Sequence, residues 1–391
     1  MNDVVVLSAK RTAIGSFNGV FAGVASPVLG ASAIRAAVAA ANVKPELISE
    51  VLMGCVLSAA LGQAPARQAS LGGGVPESVG CTTISKVCGS GMKAVMQGFD
   101  AIRAGSASVV VAGGMESMTN APYMLTKARS GYRFGHGEIL DHMALDGLQN
   151  ATDRKAMGEF GEICADKYSF SRADQDAFSK TSVERALAAI QAGAFVAEIT
   201  PVTVSGRKGD VVVSVDEEPG NCDTSKISSL KPAFKKDGTL TAASSSKISD
   251  GAAALVLANA ADAQAMGAVP IAKIVAHATH GQAPEWFTTA PVTAISKLME
   301  QCGWSVQDVD LFEVNEAFAV VAMAAMRDLK IPHEKLNVNG GACALGHPIG
   351  ASGARVIVTL IHALKARGLK RGIASLCIGG GEATAIAIEI V

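Results

Sequence analysis

Aromatic rings and formal charge are both scarce in this chain. Phe, Tyr and Trp together make up 4% of its 391 residues, so the interior must be filled by Ala, Val, Ile and Leu. Charged residues are 18% of the chain and nearly cancel to a net charge of −1, which excludes nucleic-acid binding driven by a general basic field. No apolar run approaches the ~20 residues of a membrane span. The eight cysteines include no Cys-x-x-Cys pair, and the seven histidines form no cluster at zinc spacing. Neither a disulfide framework nor a metal site is therefore expected. No glycine cluster runs into Gly-Lys-Ser/Thr, so a phosphate loop is a poor reading of any of them. The chain enters Val4-Val5-Val6-Leu7 without a cleavable leader, and Ile388-Glu389-Ile390-Val391 is neither a prenylation box nor a peroxisomal tripeptide. These readings point to a reduced, cytoplasmic setting with no nucleic-acid or membrane partner.

Small residues are what the chain has in quantity. With 41 glycines and 49% hydrophobic residues, it suits helices packed closely on sheets. The pattern predicts a buried strand at 3–9, a turn at Arg11–Gly15, a helix from Val28 to Ala41 and a strand from Glu50 to Val56. Ala59 to Gln68 reads as a loop leading into a helix. Further strands are expected at Val79–Ile84 and Ser108–Glu116, with a helix between them from Met92 to Ala104, stopped by Gly105. From residue 119 to 248 the sequence becomes polar and irregular, with one clear helix, Arg172–Gln191, and a hairpin about Gly206-Arg207-Lys208-Gly209. This reads as an excursion inserted into the first domain, and Ser249–Leu257 returns to buried-strand character.

The second half repeats the plan of the first. Ser90–Val95 and a helix ending at Gly105 lead to Val109–Gly114; Ser352–Ile357 and a helix ending near Gly368 lead to Ala374–Gly381. Two copies of one strand–helix–strand unit indicate a duplicated α/β domain. The expected division is 1–118 with 249–268 for the N-terminal half, 119–248 for the inserted loop domain and 269–391 for the C-terminal half.

The stretch Ile84–Met92 centres on Cys88, at a strand-to-helix turn among small residues that permit a sharp bend and close approach by a ligand. A helix N-terminus favours a thiolate, so Cys88 is a candidate nucleophile as well as a candidate structural cysteine. His347 occupies the matching place before the second helix, in the glycine-dense loop 339–350. If the halves face one another, both helix starts meet in one cleft and His347 can take the thiol proton. Cys377 precedes Gly379-Gly380-Gly381, which is either a tight turn or a set of backbone N–H groups open to an oxyanion.

Val87-Cys88-Gly89-Ser90-Gly91, Gly113–Met118, Asn315-Glu316-Ala317-Phe318, Gly346–Gly350 and Cys377–Gly381 together resemble the signatures of thiolases, in order along the whole chain, with bacterial acetyl-CoA acetyltransferases the nearest branch. The resemblance implies a five-layer α/β/α/β/α sandwich of two duplicated halves with an inserted loop domain. It implies reversible condensation of two acetyl-CoA into acetoacetyl-CoA and CoA through an acyl-cysteine, or else cleavage of longer 3-ketoacyl-CoAs in β-oxidation. By the same resemblance Cys88 is the nucleophile, His347 activates it, and Cys377 is the second acid/base. Asn315 with His347 binds the growing enolate through a water, and the N–H groups of Cys88 and Gly379 form a second oxyanion hole. No cofactor is implied, CoA and acyl-CoA being substrates, and the assembly implied is a homotetramer built from dimers.

Positions matching the family's CoA site are Leu148, Met157, Phe234, Ala242, Ser246, Phe287, Ala317 and Phe318, of which Leu148, Phe234 and Phe287 read equally well as core. Two positions depart from the pattern. Ala156 stands where short-chain members place a His, which opens the question of chain length. Pro219-Gly220 stands where relatives place an Arg near the adenine, which leaves the nucleotide end to Arg207, Lys208 or Lys226.

Overall fold

In the computed structural model, residues 3–207 and 209–391 are described; Lys208 lies outside them. Nine strands form one hydrogen-bonded path. Its order is Leu311–Val314, Arg371–Ile378, Glu382–Ile390, Ala272–Gly281, Val4–Thr12, Ser249–Asn259, Val109–Ser117, Glu50–Gly54 and Gly80–Ile84. The path divides where Val4–Thr12 meets Ala272–Gly281 through only three residue pairs, Val4↔Ile274 to Val6↔Ala272. On each side of that seam the pairing modes repeat: two antiparallel ladders, then parallel ones. The fifth strand of the first half, Gly80–Ile84, is matched in the second only by the single parallel bridge Phe312↔Leu336. The duplication read from the sequence is therefore present in the backbone.

Layering follows from which residues can be buried on both sides. Every residue of Val109–Ser117 is buried, so this strand has helices on each face, as its continuous apolar run requires. The helices Ser90–Ala104 and Ile349–Ala366 pack on one another between the two groups of strands. One apolar cluster joins them to both sheets, with Met92, Phe99, Val110, Val356, Leu360, Leu376 and Ile386 among its members. Two further clusters lie on the outer faces. The helix Ser26–Ala41 covers the first half, while Ala290–Cys302 and Ala319–Leu329 cover the second. Ile349–Ala366 is the one helix among the described residues long and apolar enough to cross a membrane by composition; 83% of it is buried in this central layer.

The excursion is more ordered than its sequence suggests. Arg172–Gln191 and the hairpin Val202–Gly206/Gly209–Val213 are present as expected, and a further helix, Met157–Tyr168, precedes them. It is tied back to the first strand by Arg11, which is fully buried. Its guanidinium donates to Glu198 Oε1 at 2.6 Å and, in a fork, to Asp216 Oδ1 and Oδ2 at 2.7 and 2.8 Å. Truncating it would strand two buried carboxylates, a loss of about 3–5 kcal/mol. Arg11→Ala should lower the urea midpoint markedly, and an unchanged midpoint would show that the excursion docks by other contacts.

Candidate active site

Cys88 lies between the edge strand Gly80–Ile84 and the helix Ser90–Ala104. The bend is sharp enough that Val87, a β-branched residue, takes φ +45°. Ser90 holds it there: its Oγ donates to Val87 O at 2.7 Å and accepts from Lys86 N at 2.8 Å. A strained backbone held by local bonds beside a nucleophilic atom is a frequent feature of reactive sites. The N–H groups of Gly379 and of Cys88 itself lie on the side of the Cys88 sulfur and favour its charged form. The two groups expected to form an oxyanion hole thus converge on one point.

His347 is buried and sits just before the helix Ile349–Ala366. Its Nδ1 lies 2.6 Å from Ser352 Oγ, and its Nε2 lies 3.4 Å from Asn315 Nδ2. The hydroxyl of Ser352 has one hydrogen, directed at Pro348 O at 3.0 Å, so Oγ accepts from the imidazole Nδ1–H. That leaves Nε2 with its lone pair toward the Asn315 amide. Asn315 itself is fixed by Asn315 N donating to Ser375 O at 2.9 Å, at the end of Leu311–Val314. Cys377 ends the neighbouring strand, buried, and its thiol feels the charge of Cys88. Gly380 and Gly381, at φ +95° and +90°, turn the chain away immediately after Gly379. The Cβ of any residue in place of Gly381 would stand 2.3 Å from Gln282 O, so this turn requires glycine.

Burial sets the protonation states. Desolvation pushes the Cys88 thiol up to about 11, against the two N–H groups that pull it down, and the nearby Glu116 adds to the rise. The helix start therefore does not make Cys88 a resting thiolate, contrary to the expectation from its position. Cys377 is raised well above the ordinary thiol range, by desolvation and then by Cys88. His347 is lowered to about 3, first by desolvation and then by the charge of Arg355, so the imidazole is neutral at physiological pH.

A cavity of about 300 Å³ opens beside His347. Of the expected CoA residues, Leu148, Met157, Phe234, Ser246 and Phe318 line it, together with Ala156. Phe287 does not: it is buried behind the wall, edge-on to Phe160 and Phe318. Ala317 is also buried and offers its carbonyl to Ser246 N at 3.0 Å. Ala242 is exposed and accepts from Lys247 Nζ. Neither Arg207 nor Lys226 reaches the cavity wall; Lys226 pairs with Asp223 at 3.1 Å. The cation that does line the cavity is Lys247, which no pattern in the sequence distinguishes among 34 Lys and Arg residues. Among the described residues no cluster of three or more His, Cys, Asp or Glu is placed to hold a metal ion.

The first half and the junction, residues 4–261, match the model of the thiolase N-terminal domain, and residues 268–390 match that of the thiolase C-terminal domain. The chain belongs to the thiolase family. It is 49% identical to acetyl-CoA acetyltransferase 2 of Arabidopsis thaliana, covering 100% of this chain and 97% of the relative. Identity is 49% to the Escherichia coli acetyl-CoA acetyltransferase and 48% to that of Cupriavidus necator, over 100% of this chain and 99% and 100% of those chains. The fold superposes on the Bacillus anthracis acetyl-CoA acetyltransferase with a TM-score of 0.98 at 41% identity, covering 100% of this chain and 99% of that one. It superposes on the Acat5 thiolase of Ascaris suum in complex with coenzyme A with a TM-score of 0.94 at 42% identity, covering 100% of both chains. The architecture is the thiolase five-layer α/β/α/β/α sandwich.

The raised thiol has a direct consequence for Cys88. A rise from 9 to about 11 cuts the thiolate fraction at neutral pH by about a hundredfold. Only the thiolate attacks iodoacetamide, so alkylation of Cys88 should climb about tenfold per pH unit from 7 to 10. A rate already flat at pH 7 would mean a preformed thiolate.

Proposed function

We infer that the chain is an acetyl-CoA C-acetyltransferase, working through an acyl-cysteine in a ping-pong cycle. The observation that carries this reading is that the Cys88 thiol feels the N–H groups of Gly379 and of Cys88 itself, while Cys377 feels the charge of Cys88. One thiol is held between two oxyanion donors, and a second, more basic thiol is in reach.

Cys88 Sγ attacks the acetyl-CoA carbonyl as Nε2 of His347 takes its proton. The carbonyl oxygen is held by the N–H groups of Cys88 and Gly379. The C–S bond to CoA breaks, the Cys377 thiol gives its proton to the leaving CoA sulfur, and acetyl-Cys88 remains beside a Cys377 thiolate and a protonated His347. A second acetyl-CoA then gives its α-proton to the Cys377 thiolate, its electron pair moving onto the thioester oxygen as an enolate held by the Nε2–H of His347 and by a water on Asn315. The enolate carbon attacks acetyl-Cys88, the new C–C bond forms, the C–Sγ bond breaks, and the Cys88 thiolate takes its proton back from His347 Nε2. Thiolysis is the reverse, with Cys377 taking the proton of the CoA thiol. The burial that raises Cys377 makes its thiolate the stronger base, which suits removal of a proton from carbon. No cofactor enters this chemistry, and CoA and acyl-CoA are the partners.

The cavity supports Leu148, Met157, Phe234, Ser246 and Phe318 as pantetheine contacts and makes Phe287 a residue that braces them. Ala242 and Lys247 are read as the way out toward the nucleotide. The division into 1–118 with 249–268, 119–248 and 269–391 is supported by the repeated pairing and by the separate docking of the excursion. Assembly as a dimer of dimers is supported by two distinct surfaces: the outermost strand Gly80–Ile84, and the exposed Tyr123, Leu125, Phe134 and Ile139. All eight cysteines are free, in keeping with a cytoplasmic protein.

The two thiols have separable tasks. Cys377→Ser should still let Cys88 take an acetyl group from acetyl-CoA, while condensation and α-proton exchange collapse by at least about a hundredfold. Native exchange in that variant would require another base. Chain length tests the broader reading, because Ala156 lines the cavity and leaves room there. Each buried methylene contributes about 0.8 kcal/mol, several-fold in rate. Wild type should cleave six-carbon 3-ketoacyl-CoA measurably as well as acetoacetyl-CoA, and Ala156→His should narrow it to four carbons. Identical profiles for the two proteins would remove position 156 from chain-length control.

A further inference from the structure

Two arginines are fully enclosed in this protein, and they are held in opposite ways. Arg11 is clamped by three hydrogen bonds of 2.6–2.8 Å that it donates to two carboxylates. Arg355, on the central helix Ile349–Ala366, makes one hydrogen bond, from Nη2 to Asn315 Oδ1 at 3.3 Å. Its carboxylate partner, Glu313, stands off at 3.6 Å from Nη1. Within the described protein, Arg355 Nε and Nη1 and Glu313 Oε1 have no hydrogen-bond partner. A buried charge so incompletely paired is costly to fold around, and a bridge to Glu313 that fails to close does not explain its presence.

What its one good contact does is orient an amide. A guanidinium can only donate, so the atom of Asn315 it touches must be the oxygen, and the Nδ2–H₂ group is thereby turned toward His347 Nε2. With the amide reversed, an oxygen would face the imidazole lone pair and no donor would point into the site. The order from Arg355 through Asn315, His347 and Ser352 to Pro348 O is then a single run of donors and acceptors with one allowed direction.

We propose that Arg355 is a positioning residue for the condensation half of the reaction, fixing the Asn315 amide so that its Nδ2–H₂ group serves the enolate oxygen through a water. The proposal rests on the acetyl-transfer reading of the site. Burial pushes Glu313 up to about 8, so near neutrality it offsets the guanidinium only in part. The residual positive charge lies on the side of Asn315 and His347, where negative charge grows as the α-proton of acetyl-CoA passes to Cys377.

Two partial reactions separate this from a purely structural role. Acetylation of Cys88 uses the Cys88 and Gly379 N–H groups, whereas exchange of acetyl-CoA α-protons with deuterium needs the enolate site. Arg355→Met should slow α-proton exchange about 10- to 100-fold while Cys88 acetylation stays within about threefold. In an Asn315→Ala background the same substitution should change exchange by less than about threefold, since the group it positions is already gone. Arg355→Lys, which keeps a buried donor, should recover part of the exchange rate. If Arg355→Met does not fold, Arg355→Lys carries the same cycle, with a smaller loss that must again vanish when Asn315 is Ala. Equal losses in both backgrounds, or parallel loss of acetylation and exchange, would overturn the proposal. Wild-type protein that neither acetylates Cys88 nor exchanges α-protons would instead overturn the acetyl-transfer reading itself, and the proposal with it.

Discussion

The site depends on how closely the two central helices approach at their N-terminal ends. A Cβ on Gly91 would lie 2.8 Å from Ala354 N, and one on Gly353 only 2.3 Å from Met92 N, so no side chain fits between them. A Cβ on Gly114 would lie 2.0 Å from Gly350 O, which brings the second helix start onto the first half's central strand. At the same point the buried Glu116 carboxylate accepts from Val56 N at 3.0 Å, Leu57 N at 3.2 Å and Gly350 N at 2.9 Å. Desolvation raises it to about 7 while those N–H groups hold it down. One carboxylate thus bonds both halves within a few residues of Cys88 and His347. The two helix starts, with Cys88 and His347, come this close because glycines and the Glu116 bonds leave nothing to separate them.

The same close packing determines the electrostatics. Enclosing the reacting groups costs their charged forms more than the helix ends and N–H groups return, so both thiols are raised and the imidazole is kept neutral. The resting site is therefore uncharged, unlike a thiolate–imidazolium pair. Charge appears only as a proton moves, and it appears where donors are already aimed. In the proposed condensation such an arrangement would favour the transition states over the ground state, because donors already in place need no reorganisation when an enolate forms.

The chemistry was legible in the sequence because it sits at joints. Glycine-rich strand-to-helix turns are few, so Cys88, His347 and Cys377 could be singled out, and Arg172–Gln191 and the hairpin about 206–209 lie where periodicity placed them. The helix Met157–Tyr168 escaped notice because Gly158 and Gly161 interrupt its apolar pattern; each lets a side chain, Phe234 or Leu240, lie against the backbone. Phe287 misled for a different reason, since an aromatic that braces a cavity and one that lines it have the same sequence signature. Lys247 and Arg355 were not legible at all. The first is one cation among many, and the second is a single charge in an otherwise apolar stretch whose meaning depends on a partner 40 positions away.

Duplication explains the scaffold, and its breakdown explains the site. In the first half Glu50–Gly54 is flanked on its outer side by a full strand, Gly80–Ile84, which then delivers Cys88. In the second half that outer strand has shrunk to the Phe312↔Leu336 bridge, and a side chain takes over its hydrogen bonds. Asn337, at φ +45°, accepts from Val314 N at 2.9 Å through Oδ1 and donates from Nδ2 to Val314 O at 2.9 Å and Glu316 Oε1 at 2.8 Å. Glu316 in turn accepts from Ser182 Oγ at 2.7 Å and Cys343 N at 3.1 Å. Residues 314–316 are thus pinned on both sides of Asn315 without a neighbouring strand to cover it. Asn315 follows directly on the last residue of Leu311–Val314, and its side-chain amide faces His347. An exact repeat would have placed a second turn like that of Cys88 opposite the first; with one strand lost, His347 and Asn315 stand there instead.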